Sequence, residues 1–237
     1  MTRPRCRFPT LNGPCHPAVA REGDRCREHT GQDPVAAASE LAKSARARRA
    51  AGRQPELPTG EPRSEGPMSD EQVAAIAECL NCHRVEYVLI GGGAAQLHGA
   101  PVTRTRDADV VPSKAGENLD RLAAALRELD ARLWVGAAEP DGLVMIFDRR
   151  TLGQIAGFLN LITRFGPIDI TYRPDGTEGY EDLVRGAVTI RLLDVDVTVA
   201  SLEDVIRSKE AAGRAKDIAA LPVLIEHARR HRADPPR

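Results

Sequence analysis

The sequence predicts an α+β protein, and three observations carry that prediction. Apolar residues recur at helical spacing in separate windows, among them Val73, Ile76 and Leu80, and Leu119, Leu122, Leu126 and Leu129. Short apolar runs such as EYVLI at 86–90 and PIDITY at 167–172 lie between the helical windows and read as strands. Late in the chain, strands follow one another through tight turns. They therefore pair locally, which argues against a doubly wound parallel sheet.

Each element has its own local cause. Ser69 with Gln72 forms a capping-box pattern ahead of a helix over 70–82. Glu86–Ile90 is a strand running into the turn Gly91-Gly92-Gly93, and residues 94–98 form a short helix stopped by Gly99. Ala108–Val111 is a second strand, ended by Pro112, and Asn118–Leu129 is an amphipathic helix. FLNLITRFG and PIDITYRP read as two strands joined at Gly166-Pro167, followed by a short helix over Tyr180–Val184. The stretch from 188 to 201 is a hairpin turning near Asp194. Ser201 caps a helix that Gly213 interrupts, and a last helix runs from about Arg214 to Arg230.

A chain of 237 residues with 42% apolar content can bury one core of ordinary size and carry an appendage. Composition divides it into three parts: residues 1–30, rich in Cys and His; a basic helix and Pro/Gly-rich linker over 31–67; and a body over 68–237. The net charge of −1 conceals an asymmetry. Residues 1–67 hold 12 Lys/Arg against 8 Asp/Glu, and the remainder 21 against 26. A uniformly basic nucleic-acid coat is thus excluded, although Lys43, Arg46, Arg48, Arg49 and Arg53 follow one another with no acid between them. No apolar run approaches membrane length, and the N-terminus MTRPRCRF has no secretory apolar region, so the expected location is the cytoplasm.

The stretch EYVLIGGGAAQLHGAPVTRTRDADVVP, from Glu86 to Pro112, is where chemistry concentrates. Side chains at i and i+2 of a strand share a face, so Asp107 and Asp109 present two carboxylates side by side. Such a pair repels itself unless cations intervene, and an all-oxygen donor set suits Mg²⁺ or Mn²⁺. Gly91 and Gly92 let backbone approach an anion closely. A phosphate cradle beside a divalent-metal site implies nucleotide chemistry.

These residues, with Arg104-Thr105-Arg106-Asp107-Ala108-Asp109-Val110, resemble the signature of the polymerase-β-like nucleotidyltransferase superfamily, nearest to minimal nucleotidyltransferases of the AbiEii-type toxin group. The resemblance covers about residues 70–228. It implies a nucleotidyltransferase fold, a short mixed sheet flanked by helices, in an enzyme moving an NMP group from an NTP to an acceptor hydroxyl with release of pyrophosphate. Asp169 matches the family's third metal-binding carboxylate. Lys209 and Asp217, in SLEDVIRSKEAAGRAKD, match a later basic-acidic cluster. By the resemblance Asp107, Asp109 and Asp169 hold Mg²⁺, Gly91, Gly92, Arg104 and Thr105 contact the nucleotide, and Lys209 neutralises phosphate. Two departures stand out: the turn is Gly-Gly-Gly where many members have Gly-Ser, and Ala108 replaces a larger apolar residue.

A second constellation, Cys6-x8-Cys15-x10-Cys26-x2-His29, offers three thiolates and an imidazole. That set satisfies tetrahedral Zn²⁺ and would stabilise a segment too small to fold alone. Cys79, Cys82 and His83 admit a second metal or redox site, but both cysteines border a core helix and read as buried thiols. The basic arm and the zinc module favour RNA, tRNA-like, as the acceptor, and the toxin resemblance implies a cognate antitoxin. A small molecule such as an antibiotic, a protein acceptor, or a non-catalytic zinc-tethered binding protein are the competing readings.

Overall fold

The computed structural model describes residues 66–136, 139–155 and 157–233, together with the backbone of Pro9–Thr10 paired antiparallel with Gly13–Pro14. The four proposed N-terminal zinc ligands, Cys6, Cys15, Cys26 and His29, and the basic arm lie outside the described residues. The body begins with helix α1, Asp70–Cys82, whose capping box is formed. Ser69 Oγ accepts from Gln72 N at 3.3 Å, and Ser69 N donates to Gln72 Oε1 at 2.9 Å.

Strand β1 is Tyr87–Ile90, helix α2 is Gly91–Leu97, strand β2 is Ala108–Pro112 and helix α3 is Gly116–Glu128. Then come β3 (Arg132–Leu133), α4 (Arg149–Gln154), β4 (Phe158–Thr163) and β5 (Gly166–Thr171). Helix α5 (Tyr180–Leu183), the hairpin β6 (Val188–Leu192) and β7 (Val195–Val199), and helices α6 (Leu202–Ala212) and α7 (Ala215–Ala233) complete the chain.

Seven strands form one mixed sheet in the order β3-β4-β5-β2-β1-β7-β6. β1 runs antiparallel to β2 and parallel to β7, while β2 runs parallel to β5. β4 is antiparallel to both β3 and β5, and β6 to β7. The class is therefore α+β, a mixed sheet flanked by helices, in keeping with the local strand pairings read from sequence. Val88, Val110, Ile168, Ile170, Leu122, Leu126 and Val205 are fully enclosed in its core. Among the described residues, no helix is long and apolar enough to cross a membrane.

Several boundaries shift by a few residues from the sequence reading, two helix starts among them, and two elements are new. Helix α2 starts at Gly91 itself rather than after the glycines, and α3 starts at Gly116, two residues before Asn118. Asn118 is fully buried instead of opening the helix in solvent. Its side chain bonds Glu86 N, Glu86 O and Ser113 O, pinning the start of β1 to the end of β2. β3 and α4 carry no periodic signal: one has two residues, and the other offers Leu152 as its one large apolar side chain. Helix α4 is held at its start by Asp148, whose Oδ1 accepts from Thr151 N at 2.6 Å.

Candidate active site

The carboxylates are assembled by sheet register. In the parallel pair of β2 and β5, Ala108 lies opposite Ile168 and Asp109 opposite Asp169. Ala108, Val110, Ile168 and Ile170 all point to the buried face, so alternation turns Asp109 and Asp169 to the other, half-open face. Asp107, one residue before β2, shares that face. Its Oδ1 accepts from Thr105 Oγ1 at 2.8 Å. Strand spacing alone pairs Asp107 with Asp109, and the fold adds Asp169, 60 residues further along, at the same level of the sheet.

Three acids at one place have an electrostatic consequence. The Asp109 carboxyl is held well above the usual carboxylate range, first by burial and then by Asp107 and Asp169, with Lys216 and Lys209 acting weakly against the rise. A desolvated carboxylate facing two others fits a divalent cation, which would neutralise them and take the hard oxygen donors that suit Mg²⁺ or Mn²⁺.

The glycines press on this cluster. Gly91 has φ +75° at the end of β1, and a Cβ there would lie 2.7 Å from Asp109 Cγ, closer than any real contact. A Cβ on Gly92 would meet Thr105 Cβ at 3.0 Å. Backbone at 91–92 thus runs directly against the Asp109 and Thr105 side chains with no room for a side chain of its own. Gly91→Ala is expected to lower nucleotide transfer on the order of 10²-fold, because it must displace a carboxylate by about an ångström. A transfer assay on the folded variant checks this, with circular dichroism as the control for structure.

Lys209 and Asp217 meet across the turn from α6 to α7. Gly213, at φ +60°, ends α6. Lys209 Nζ donates to Asp217 Oδ1 at 2.9 Å, and Arg214 Nε donates to Asp217 Oδ2. Asp217 is fully enclosed. Burial opposes its ionisation, but Arg214 and Lys209 outweigh that and hold its pKa below the usual value. Lys209 and Lys216 both lie within the field of Asp109. Arg104 is placed differently: it is exposed and paired with Asp70 at the start of α1, at 2.5 Å.

Residues that the sequence does not single out extend the carboxylate row. Asn160 of β4 lies opposite Asp169 and donates to its Oδ2 at 3.4 Å. Beyond it, Trp134 N donates to Asn160 O at 2.9 Å, continuing the ladder past β3. The row across the sheet therefore reads Ile90, Asp109, Asp169, Asn160, Trp134. No spacing rule finds it, because its members come from separate strands.

Two histidines of the body are engaged in packing. His98 Nε2 bonds Ala200 O at 2.8 Å, and His227 Nε2 bonds His98 O at 2.9 Å. Cys79 is buried, which pushes its thiol up to about 11, but Cys82 is exposed, contrary to expectation.

The chain matches no protein-family model and no curated protein. Among solved structures it is similar to a lincomycin-bound lincosamide antibiotic adenylyltransferase, over 68% of this chain and 99% of that one, at 14% identity and a TM-score of 0.47. The antibiotic-resistance factor ANT(2″)-Ia, in complex with adenylyl-2″-tobramycin, aligns over 67% of this chain and 88% of its own, at 14% identity and a TM-score of 0.42. An antigenic nucleotidyltransferase-like protein from Paracoccidioides brasiliensis covers 68% and 78%, at 18% identity and a TM-score of 0.42. At such identities the site has to be read from this chain's own residues.

Proposed function

We propose that the protein is a metal-dependent nucleotidyltransferase, moving an NMP group from an NTP to an acceptor hydroxyl, with RNA as the acceptor. The observation that carries this reading is the convergence of Asp107, Asp109 and Asp169 on one sheet face with glycine backbone against them. Those three carboxylates would hold divalent ions, which when bound neutralise the triphosphate and the departing pyrophosphate.

The chain's own groups supply the rest. Thr105 fixes Asp107 by its hydroxyl hydrogen bond. Gly91 and Gly92, lacking side chains, let the backbone at the start of α2 lie against Asp109 and Thr105, where its N–H groups would face triphosphate oxygens. Lys209, oriented by Asp217, and Lys216 provide the positive charge, a role that Arg104 gives up by pairing with Asp70. Asp169, at the side of the cluster nearest Asn160 and Trp134, orients the attacking hydroxyl and accepts its hydrogen bond. The acceptor then lies on the Asn160 side and the triphosphate on the Gly91 side.

In this reading the domains are a Cys3His zinc module over 1–30, a basic arm and linker over 31–67, and the catalytic body over 68–237. The arm grips RNA phosphates. Catalysis on a cellular RNA would make the chain the toxin of a toxin–antitoxin pair, restrained by a cognate antitoxin. Incubation of the full chain with each labelled NTP, Mg²⁺ and total cellular RNA tests the function. Label on RNA supports it, label on a small aminoglycoside or lincosamide instead replaces the acceptor, and no transfer to any acceptor defeats it.

Deleting 1–67 should weaken RNA binding and flatten its salt dependence, while transfer at saturating RNA changes little. Each phosphate that the arm no longer neutralises takes about 0.7–0.9 off the slope of log K against log salt. Unaltered affinity at low salt would reassign the arm to protein docking.

A further inference from the structure

At the C-terminal ends of α1 and α3, three side chains with different donor atoms converge. Cys79 Sγ, a His83 ring nitrogen and a Glu128 carboxylate oxygen all lie within 4.8 Å of one another. Cys79 and His83 are four residues apart at the end of α1, so both project from the same side of the helix. Glu128 closes α3, which packs against α1. The arrangement is partly drawn together already: His83 Nε2 and Glu128 Oε2 are 2.7 Å apart, and Cys79 Sγ rests 3.7 Å from Ala125 O.

We infer that Cys79, His83 and Glu128 form a Zn²⁺ site that clamps the C-terminal ends of α1 and α3 together. Sulfur, imidazole and carboxylate make the mixed donor set that zinc accepts and that Mg²⁺ and Ca²⁺ do not. Zinc–ligand bonds of about 2.0–2.3 Å set tetrahedral donors roughly 3.3–3.7 Å apart, so the His83–Glu128 contact of 2.7 Å must open and the longest separation in the group shorten by about an ångström, within reach of the partly exposed Glu128 and His83 side chains. Both helices end here, so their terminal carbonyls add negative potential where a cation would sit. No basic residue occupies the last turn of α1, and the one in the last turn of α3, Arg127, donates to Phe147 O. Arg164, the cation in the field of Cys79, opposes the site, and Glu78 supports it. A water completes the tetrahedron. On binding, the Cys79 thiol releases its proton to solvent and the Sγ–metal bond replaces the S–H bond. Cys82, exposed, is not a ligand.

The site is independent of the N-terminal Cys3His proposal, and the experiment separates them. Full-length protein carrying Cys6→Ser and Cys26→Ser is stripped of metal and titrated with Co²⁺, then with Zn²⁺ in competition. With excess Mg²⁺ present to fill the carboxylate cluster, one thiolate-bound Co²⁺ per chain, read from its charge-transfer band and displaced by Zn²⁺, is expected. His83→Ala, a change at the helix end that leaves the core alone, should remove the band, as should Cys79→Ser, and Zn²⁺ should raise the Tm of the parent but not of either variant. Glu128→Gln should weaken binding by about tenfold or more. The inference is overturned if the parent shows no thiolate band, if the band survives His83→Ala, or if Cys82→Ser abolishes it while Cys79→Ser does not.

Discussion

Replacing Asp109 with asparagine should reduce nucleotide transfer by at least ~10²-fold and at the same time raise the thermal stability of the metal-free protein. The two effects have one origin. Asp109 is desolvated and faces Asp107 and Asp169, so its folded-state pKa lies above its unfolded value. The native state then binds the proton more tightly than the unfolded chain. Stability from this group is fully present at acid pH and is lost as pH rises through the folded pKa. The asparagine side chain has no charge to desolvate, so the gap in Tm between variant and wild type should be small near pH ~4 and widen by several degrees towards pH ~8. Added Mg²⁺ should raise the wild-type Tm and close the gap. Calorimetry in chelator at both pH values, with a transfer assay, reads all of this. A variant that keeps transfer, or one that gains no stability at the higher pH, would refute the carboxylate cluster as a cation site.

How much of the site is legible in the sequence follows from the range of each interaction. Asp107 and Asp109 are legible because the i, i+2 rule of a strand is local, and Ser69 with Gln72 because a capping box closes within four residues. Asp169 is reached through the family resemblance alone. Its position beside Asp109 depends on a parallel register between strands 60 residues apart, and no local pattern encodes that. Trp134 and Asn160 escape sequence reasoning for the same reason, compounded by β3 having two residues. Cys79 and His83 stand out in the sequence, but beside Cys82, their neighbour along the chain. Helix packing instead brings Glu128, from the end of α3, and leaves Cys82 in solvent. Arg104 departs in the other direction: its place in the motif suggests phosphate, but an exposed guanidinium takes the nearest carboxylate, Asp70.

Asp217→Ala should be the most destabilising single change at the candidate site. By the resemblance Asp217 belongs to the nucleotide-binding cluster with Lys209, and pairing with Arg214 or Lys216 along one helix face is the competing reading. In the fold it is fully enclosed, and it binds Arg214 from its own turn and Lys209 from the preceding helix. Removing it leaves Lys209, largely buried, with its charge uncompensated, the case in which breaking a pair costs more than the pair was worth. Because Arg214 is half-exposed and can turn to water, the loss should be about 2–4 kcal/mol rather than the upper end for a dry pair. For a body of this size that is a fall of roughly 5–15 °C in Tm. Asp217 has its pKa depressed by its partners, so its contribution is present above the unfolded carboxylate range and disappears as pH falls through the folded value. The difference between Asp217→Asn and wild type should therefore be full at pH ~7 and shrink steadily as pH falls below the unfolded carboxylate range. Transfer should fall with it, since Lys209 loses the group that aims it toward Asp109, and raising NTP should restore part of the rate because positioning rather than chemistry is lost. A Tm unchanged at neutral pH, or a loss that persists undiminished in acid, would mean that Asp217 does not carry a charge in the folded protein.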